Sequence, residues 1–167
     1  MSEKKAELKI RLATSNDTSA LTGFFSEKAV LRWFPMNSAL EIADAVRIWM
    51  SYVDQKAVLA AEIDGRVVGL ANLYLAYFKK LSHHALFAVI VDQNFRGKGV
   101  GTRLLKTLIQ MAQEQFHLDF LHLEVYEKNP AIHLYQRLGF KEYGRQKHFI
   151  KEENGGYLDK IMMQKKL

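Results

Sequence analysis

The segment Arg96-Gly97-Lys98-Gly99-Val100-Gly101-Thr102 concentrates the residue types that hold phosphate. Its three glycines alternate with other residues, and glycine lets the main chain approach a ligand closely in conformations closed to other side chains. An apolar run at 85–91 precedes the segment. A helical pattern follows, with Val100, Leu104, Leu108 and Ala112 at i, i+4 spacing. The first N–H groups of a helix lack partners within it and lie at the positive end of its dipole, so this junction suits an anion. Arg96 and Lys98 add full positive charges. A P-loop needs Ser or Thr after its lysine, whereas Gly99 follows Lys98. The dinucleotide fingerprint, begun at Gly97 and Gly99, meets Thr102 where its third glycine belongs, and it comes after an antiparallel hairpin rather than in a βαβ unit. Both are excluded.

A second constellation, Asn129-Pro130-Ala131-Ile132-His133-Leu134-Tyr135-Gln136-Arg137-Leu138-Gly139-Phe140, reads by itself as a short capped helix closed by Gly139. Ile132, Leu134 and Leu138 form its core face. His117, His122, His133 and His148 are scattered without metal-ligand spacing, and no metal is assigned.

These segments need a scaffold, and the chain is long enough to build one. Its 167 residues, 49% hydrophobic and without Cys, fit one domain (1–167) stabilised by a core rather than by disulfides or thiolate-bound metal. A formal charge of +6 favours anionic partners, but the cations are spread out in pairs such as Lys4-Lys5, Lys79-Lys80 and Lys165-Lys166. That pattern argues for a solvated basic surface rather than a nucleic-acid stripe. No stretch approaches the ~20 apolar residues of a membrane span, and no signal-peptide core follows the N-terminal charges. The expected setting is cytoplasmic, with neither membrane nor nucleic acid as partner.

Leu8, Ile10 and Leu12 alternate as in a half-buried strand. Helices are expected at about 18–29 and, capped by Ser38, to about 53. The apolar, proline-interrupted Trp33-Phe34-Pro35-Met36 between them is a loop. Asp64-Gly65 between two apolar runs predicts a type I′ hairpin, with the second strand reaching about Phe78 and Gly69 marking a bulge or a close approach. A central strand is expected at about 83–92, a helix at about 100–116, a strand at about 120–126, a helix after Asn129-Pro130, a short strand from Phe140 and a last strand at about 157–165. Seven strands and four helices in this order give a mixed α/β domain around one sheet.

Together, V-D-Q-N-F-R-G-K-G-V-G-T and N-P-A-I-H-L-Y-Q-R-L-G-F resemble the paired motifs of the GNAT family (Gcn5-related N-acetyltransferases), and the strand order agrees from about Leu8 to Lys165. The tail Gly156-Tyr157-Leu158-Asp159-Lys160 is similar to that of its bacterial amino-acid and small-amine enzymes. The resemblance implies a mostly antiparallel sheet splayed in the middle and transfer of an acetyl group from acetyl-CoA to a primary amine by direct attack through a tetrahedral intermediate. It implies that the N–H groups of Gly97, Gly99, Val100, Gly101 and Thr102, with Arg96 and Lys98, hold the pyrophosphate. The backbone of Val89, Ile90 and Val91 would pair with the pantetheine arm, a backbone N–H near Val89 would stabilise the oxyanion, Asn129 would contact the cofactor, and Tyr135 would hold or protonate the thiolate.

The general base is open. Many relatives carry a carboxylate on the central strand, where this chain has Leu86 and Phe87; His83, His84, Glu124, Tyr126 and bound water remain. The acceptor site is expected between Trp33-Phe34-Pro35-Met36 and the hairpin at 148–157, although the Trp-Phe pair also suits core packing or a homodimer contact. A small amine or amino acid is the expected acceptor. A peptide amine, or a non-catalytic acyl-CoA-binding role, is the alternative.

Overall fold

The computed structural model describes residues 7–167; the Lys4-Lys5 pair lies outside them. Strand β1 (Leu8–Leu12) is followed by β2 (Val58–Ile63) and β3 (Arg66–Leu75), joined by the Asp64-Gly65 turn. Both turn residues take positive φ, 49° and 78°, as a type I′ turn demands. Then come β4 (His84–Val91), β5 (Phe120–Tyr126), β6 (Lys141–Lys151) and β7 (Tyr157–Lys166). They form one sheet in the order β1-β2-β3-β4-β5-β7-β6, antiparallel except where β4 meets β5.

Opposite faces of the sheet carry different helices. Leu21, Phe24 and Phe25 of α1 (Thr18–Phe25) and Val46 and Trp49 of α3 (Ala39–Met50) pack with Val58, Ala60, Leu70 and Ile90 on one face. The stripe Val100, Leu104, Leu108 and Ala112 of α4 (Val100–Glu114) packs with Leu59, Ala71, Phe87 and Leu121 on the other. Ser38 caps α3 as expected: its Oγ accepts from Glu41 N at 3.2 Å while Glu41 returns a carboxylate to Ser38 N at 3.0 Å. At Gly69 the bulge and the close approach coincide. Val68 is the extra residue between the pairs Ala61↔Gly69 and Glu62↔Val67, and a Cβ on Gly69 would stand 2.9 Å from Ile90 O and 3.0 Å from Leu104 Cδ1.

Several boundaries differ from the sequence reading. The helix expected at about 18–29 breaks at Glu27, which is extended, and resumes as α2 (Lys28–Leu31). Phe25 and Val30 are both buried in the same core, and five residues apart on an unbroken helix they would diverge by well over a hundred degrees. Helix α3 ends at Met50, before turns that close with Lys56 at φ 56°. Strand β3 ends at Leu75, leaving Tyr77 and Phe78 exposed in a loop. Strand β6 is long rather than short, because a sheet-edge strand with mostly exposed side chains has little apolar patterning to announce it.

The feature that matters most is a gap. Seven residue pairs join β3 to β4 and seven join β5 to β7, but only His84↔Phe120, Ala85↔Leu121 and Leu86↔His122 join β4 to β5. Beyond Leu86 the two central strands part.

Candidate active site

The parting strands leave main chain without a partner. Asp92 N donates to Val68 O, so the backbone polar groups of Asp92, Ile90 and Ala88 point toward β3. Alternation then aims the N–H and C=O of Val89 and Val91 at the gap, where β5 is too distant to receive them. In a sheet centre such groups normally find partners. Here they form one wall of a cleft of about 500 Å³.

At the mouth of the cleft stands the glycine segment. Gly97 and Gly99 take φ of 71° and 81°, a conformation that glycine enters without strain, and the chain turns through them into α4. Gly101 has another reason to be small: a Cβ there would press within 3.3 Å of Leu134 Cδ2. The N–H groups of Val100, Gly101 and Thr102 belong to the first helical turn and have no carbonyl behind them. Asp92 pins the start of this turn. Buried to 1% exposure, it binds Arg66 Nη2 at 2.7 Å, and its Oδ1 accepts from Asn94 N at 2.9 Å and Asn94 Nδ2 at 3.1 Å.

The far wall comes from β5 and α5 (Ala131–Arg137). Asn129 Oδ1 accepts from Ala131 N at 2.9 Å and so caps α5, which leaves the amide NH₂ as its polar function in the cleft it lines. Tyr135 is buried, edge-on to Phe87 at 6.0 Å and Phe140 at 6.3 Å. Burial alone raises its pKa, so its hydroxyl keeps its proton across the neutral range.

Of the residues singled out from sequence, Val89, Ile90, Val91, Arg96, Gly97, Gly99, Val100, Gly101, Thr102, Asn129 and Tyr135 all line this one cleft. Lys98 does not: its ammonium lies 5.0 Å from the Phe95 ring. Arg137, which lines the cleft from α5, was missed, as were Asp92 and Arg66. Arg137 lies within the second motif, so its charge was a usable signal; the Arg66–Asp92 pair joins residues 26 apart and has no local one.

A second chamber of about 320 Å³ opens on the α1/α3 face and shares Trp33, Phe34, Phe87, Ala88 and Glu124 with the cleft. Trp33, Phe34, Pro35 and Met36 form one side, and Tyr126 and Phe149 stand on the other. Phe34 also packs edge-on to Phe25 at 4.9 Å, so the loop both joins the core and walls the chamber. Glu124 lines both spaces and binds Lys160 Nζ at 3.1 Å. Burial and the neighbouring Glu124 carboxylate push Tyr126 up to about 12. His83 and His84 line neither space. Both lie at the closed end of the gap, where His84 Nδ1 is 3.1 Å from His122 Nε2.

This arrangement agrees with the comparisons to known proteins. Residues 27–140 match the model of the acetyltransferase (GNAT) family. The chain is 34% identical over 106 residues to the L-amino acid N-acetyltransferase AaaT of Escherichia coli (strain K12), an alignment covering 63% of this chain and 65% of that protein. It is 28% identical over 164 residues to the spermidine N(1)-acetyltransferase of the same strain, covering 93% and 84%. Among solved structures, the Salmonella typhimurium acetyltransferase yncA, determined with acetyl-CoA, superposes with a TM-score of 0.83 at 25% identity over 96% of this chain and 94% of that one.

The chain belongs to the GNAT family and is an acetyl-CoA-dependent N-acetyltransferase. Its residues suit that donor: a helix mouth and two arginines, Arg96 and Arg137, for phosphates, and an unpaired strand edge for an amide-bearing arm. Among the described residues, no helix is long and apolar enough to cross a membrane.

Proposed function

We propose that this chain acetylates a small primary amine or amino acid, with the donor in the cleft between β4 and β5 and the acceptor in the adjoining chamber. One observation carries the reading: β4 and β5 part beside the glycine turn, and the cleft between them shares five wall residues with a second space. Acetyl-CoA supplies the acetyl group as a thioester, which a neutral amine attacks directly through a tetrahedral intermediate.

The chain's residues then divide the work. The N–H groups of Gly97, Gly99, Val100, Gly101 and Thr102 bind the pyrophosphate, with Arg96 beside them. Lys98, held over Phe95, adds long-range attraction rather than a contact. The unpaired main chain of Val89 and Val91 receives the pantetheine amides, and the Val89 N–H is the donor for the developing oxyanion. Ile90 braces this strand from the α1/α3 core. Asn129 and Tyr135 orient the sulfur end, and Tyr135, kept protonated by burial, gives its proton to the leaving thiolate.

An amine with a pKa of ~10.4 arrives protonated at neutral pH and must lose that proton before it attacks. Glu124 is our choice of acceptor for it, directly or through water. Of the sequence-derived bases it alone lines both spaces. Tyr126 lines the chamber, but at about 12 it is neutral and donates rather than accepts.

Two measurements test the assignment. Calorimetry should detect coenzyme A binding, and release of free thiol from acetyl-CoA should depend on an added amine. Tyr135→Phe should lower kcat by about 10²-fold or more while leaving coenzyme A affinity unchanged. Absence of coenzyme A binding at millimolar concentration would overturn the reading; an unchanged kcat would remove Tyr135 from the chemistry.

A further inference from the structure

The acceptor chamber carries its own chemical description, which rests on the reading just given and sharpens it. Its walls are aromatic and aliphatic, with Trp33, Phe34, Met36 and Leu86 among them. Glu124 is the single charged side chain among the described lining residues. The other polar side-chain groups of the lining are neutral: the indole N–H groups of Trp33 and Trp49 and two phenols, Tyr126, pushed up to about 12, and Tyr74, also raised, chiefly by burial.

Two cations stand close by, and both are engaged: Arg32 lies 4.6 Å from the centre of the Trp33 ring and 3.9 Å from Glu152. Lys160 has a side chain only 12% exposed, with its ammonium 3.1 Å from Glu124 and 4.2 Å from the centre of the Phe149 ring. A carboxylate on the acceptor would therefore meet apolar walls and no unpaired cation, and a buried charge without a partner is strongly disfavoured. A polyamine fails for the opposite reason, since its second and third ammonium groups would find no further carboxylate among the described lining residues.

Phe149, which faces Lys160, is built into the wall rather than lying there by chance. Strand β6 bulges between the pairs Gln146↔Lys160 and Ile150↔Leu158, so residues 147–149 stand opposite Asp159 alone. Asp159 holds the bulge with both oxygens: Oδ1 accepts from His148 N at 3.0 Å and Oδ2 binds Lys147 Nζ at 3.0 Å. His148 is forced to φ 54°, and Phe149 swings onto Tyr126 with ring centroids 6.1 Å apart. The bulge thus adds an aromatic surface to the space beside the one carboxylate.

We propose that the acceptor is an apolar primary amine bearing a single ammonium group and no carboxylate, an arylalkylamine in its simplest form. The ammonium meets Glu124 at the junction with the donor cleft, and the carbon body fills the chamber between Trp33-Phe34 and Phe149. At about 320 Å³ the chamber lies at the small end of the roughly 300–1,000 Å³ typical of ligand sites.

Initial-rate thiol release from acetyl-CoA, measured on the full chain with four amines, tests this. 2-Phenylethylamine and L-phenylalaninamide should exceed L-phenylalanine and spermidine in kcat/KM by at least about 100-fold. The ratio between the first two separates a free amine from a chain terminus as the natural source. L-phenylalanine performing as well as its amide would overturn the proposal, because Lys160 would then be leaving Glu124 for the substrate. Preference for spermidine would overturn it as well. Coenzyme A binding without turnover of any of the four defeats this proposal alone, whereas loss of coenzyme A binding defeats the donor-site reading beneath it.

Discussion

Gly99 and Gly65 hold nearly the same left-handed backbone, φ 81° and 78°, and neither has a heavy atom within 4 Å of where a Cβ would stand. A valine at either place is strained to a similar degree, by about 1–2 kcal/mol or more, since branched side chains resist this conformation. Only Gly99 faces the donor cleft. Gly99→Val should therefore raise the dissociation constant for coenzyme A at least about tenfold, ~1.4 kcal/mol. Gly65→Val should lower the melting temperature comparably and leave coenzyme A binding alone. Equal affinities in titration calorimetry of the two variants would tell against the glycine turn as the phosphate site. Residues of this kind were legible in the sequence because the constraint on a left-handed glycine is local: the turns at Gly65, Gly97 and Gly99 and the helix stop at Gly139 follow from neighbours in the chain. Asp92 was not, because its partner Arg66 comes from another strand.

Elements were legible where apolar periodicity is strong, as in α4 and β5, and obscure where function departs from it. Nothing in Ala88-Val89-Ile90-Val91 or Leu123-Glu124-Val125 distinguishes strands that part from strands that pair; the separation shows only in the pairing of the folded sheet. Resemblance to a family supplied the splay, whereas the β6 bulge had no signal at all, because Asp159 acts across the hairpin. The last rung before the separation is Leu86↔His122, and there His122 meets His84 at 3.1 Å. Burial and the adjacent His84 hold the His122 pKa below its usual 6.5. In the unfolded chain His122 takes up a proton as pH falls past that value, while the folded chain resists. The unfolded state binds more protons in that window, so the stability His122 contributes is full above it and is lost as pH falls through the folded value. The melting temperature should begin to drop as pH falls toward the usual 6.5 and keep falling below it, and His122→Gln should flatten the drop. An identical slope in the variant would show that the rung does not sense protonation.

At the scale of the whole molecule, two sheet arms meet through three residue pairs and share the core on the α4 face. Arg11 ties the outer arm, binding Asp17 at 2.9 Å and Glu62 at 2.8 Å, while Glu127 and Asp159 exchange main-chain and side-chain bonds of 2.9 Å near the other edge. The arms are thus braced at their margins and loosely joined at the middle. In an ordinary sheet the central amides are the last to trade hydrogen for deuterium. Here the pattern along β4 should alternate. Ala88 and Ile90, bonded to β3, should exchange slowly, while Val89 and Val91, whose N–H groups look into solvent-filled space, should exchange at rates typical of loops. Adding coenzyme A should erase that alternation by slowing Val89 and Val91 to match their neighbours, so a strand that is half sheet in the free protein becomes whole only when a small molecule stands in for the missing neighbour.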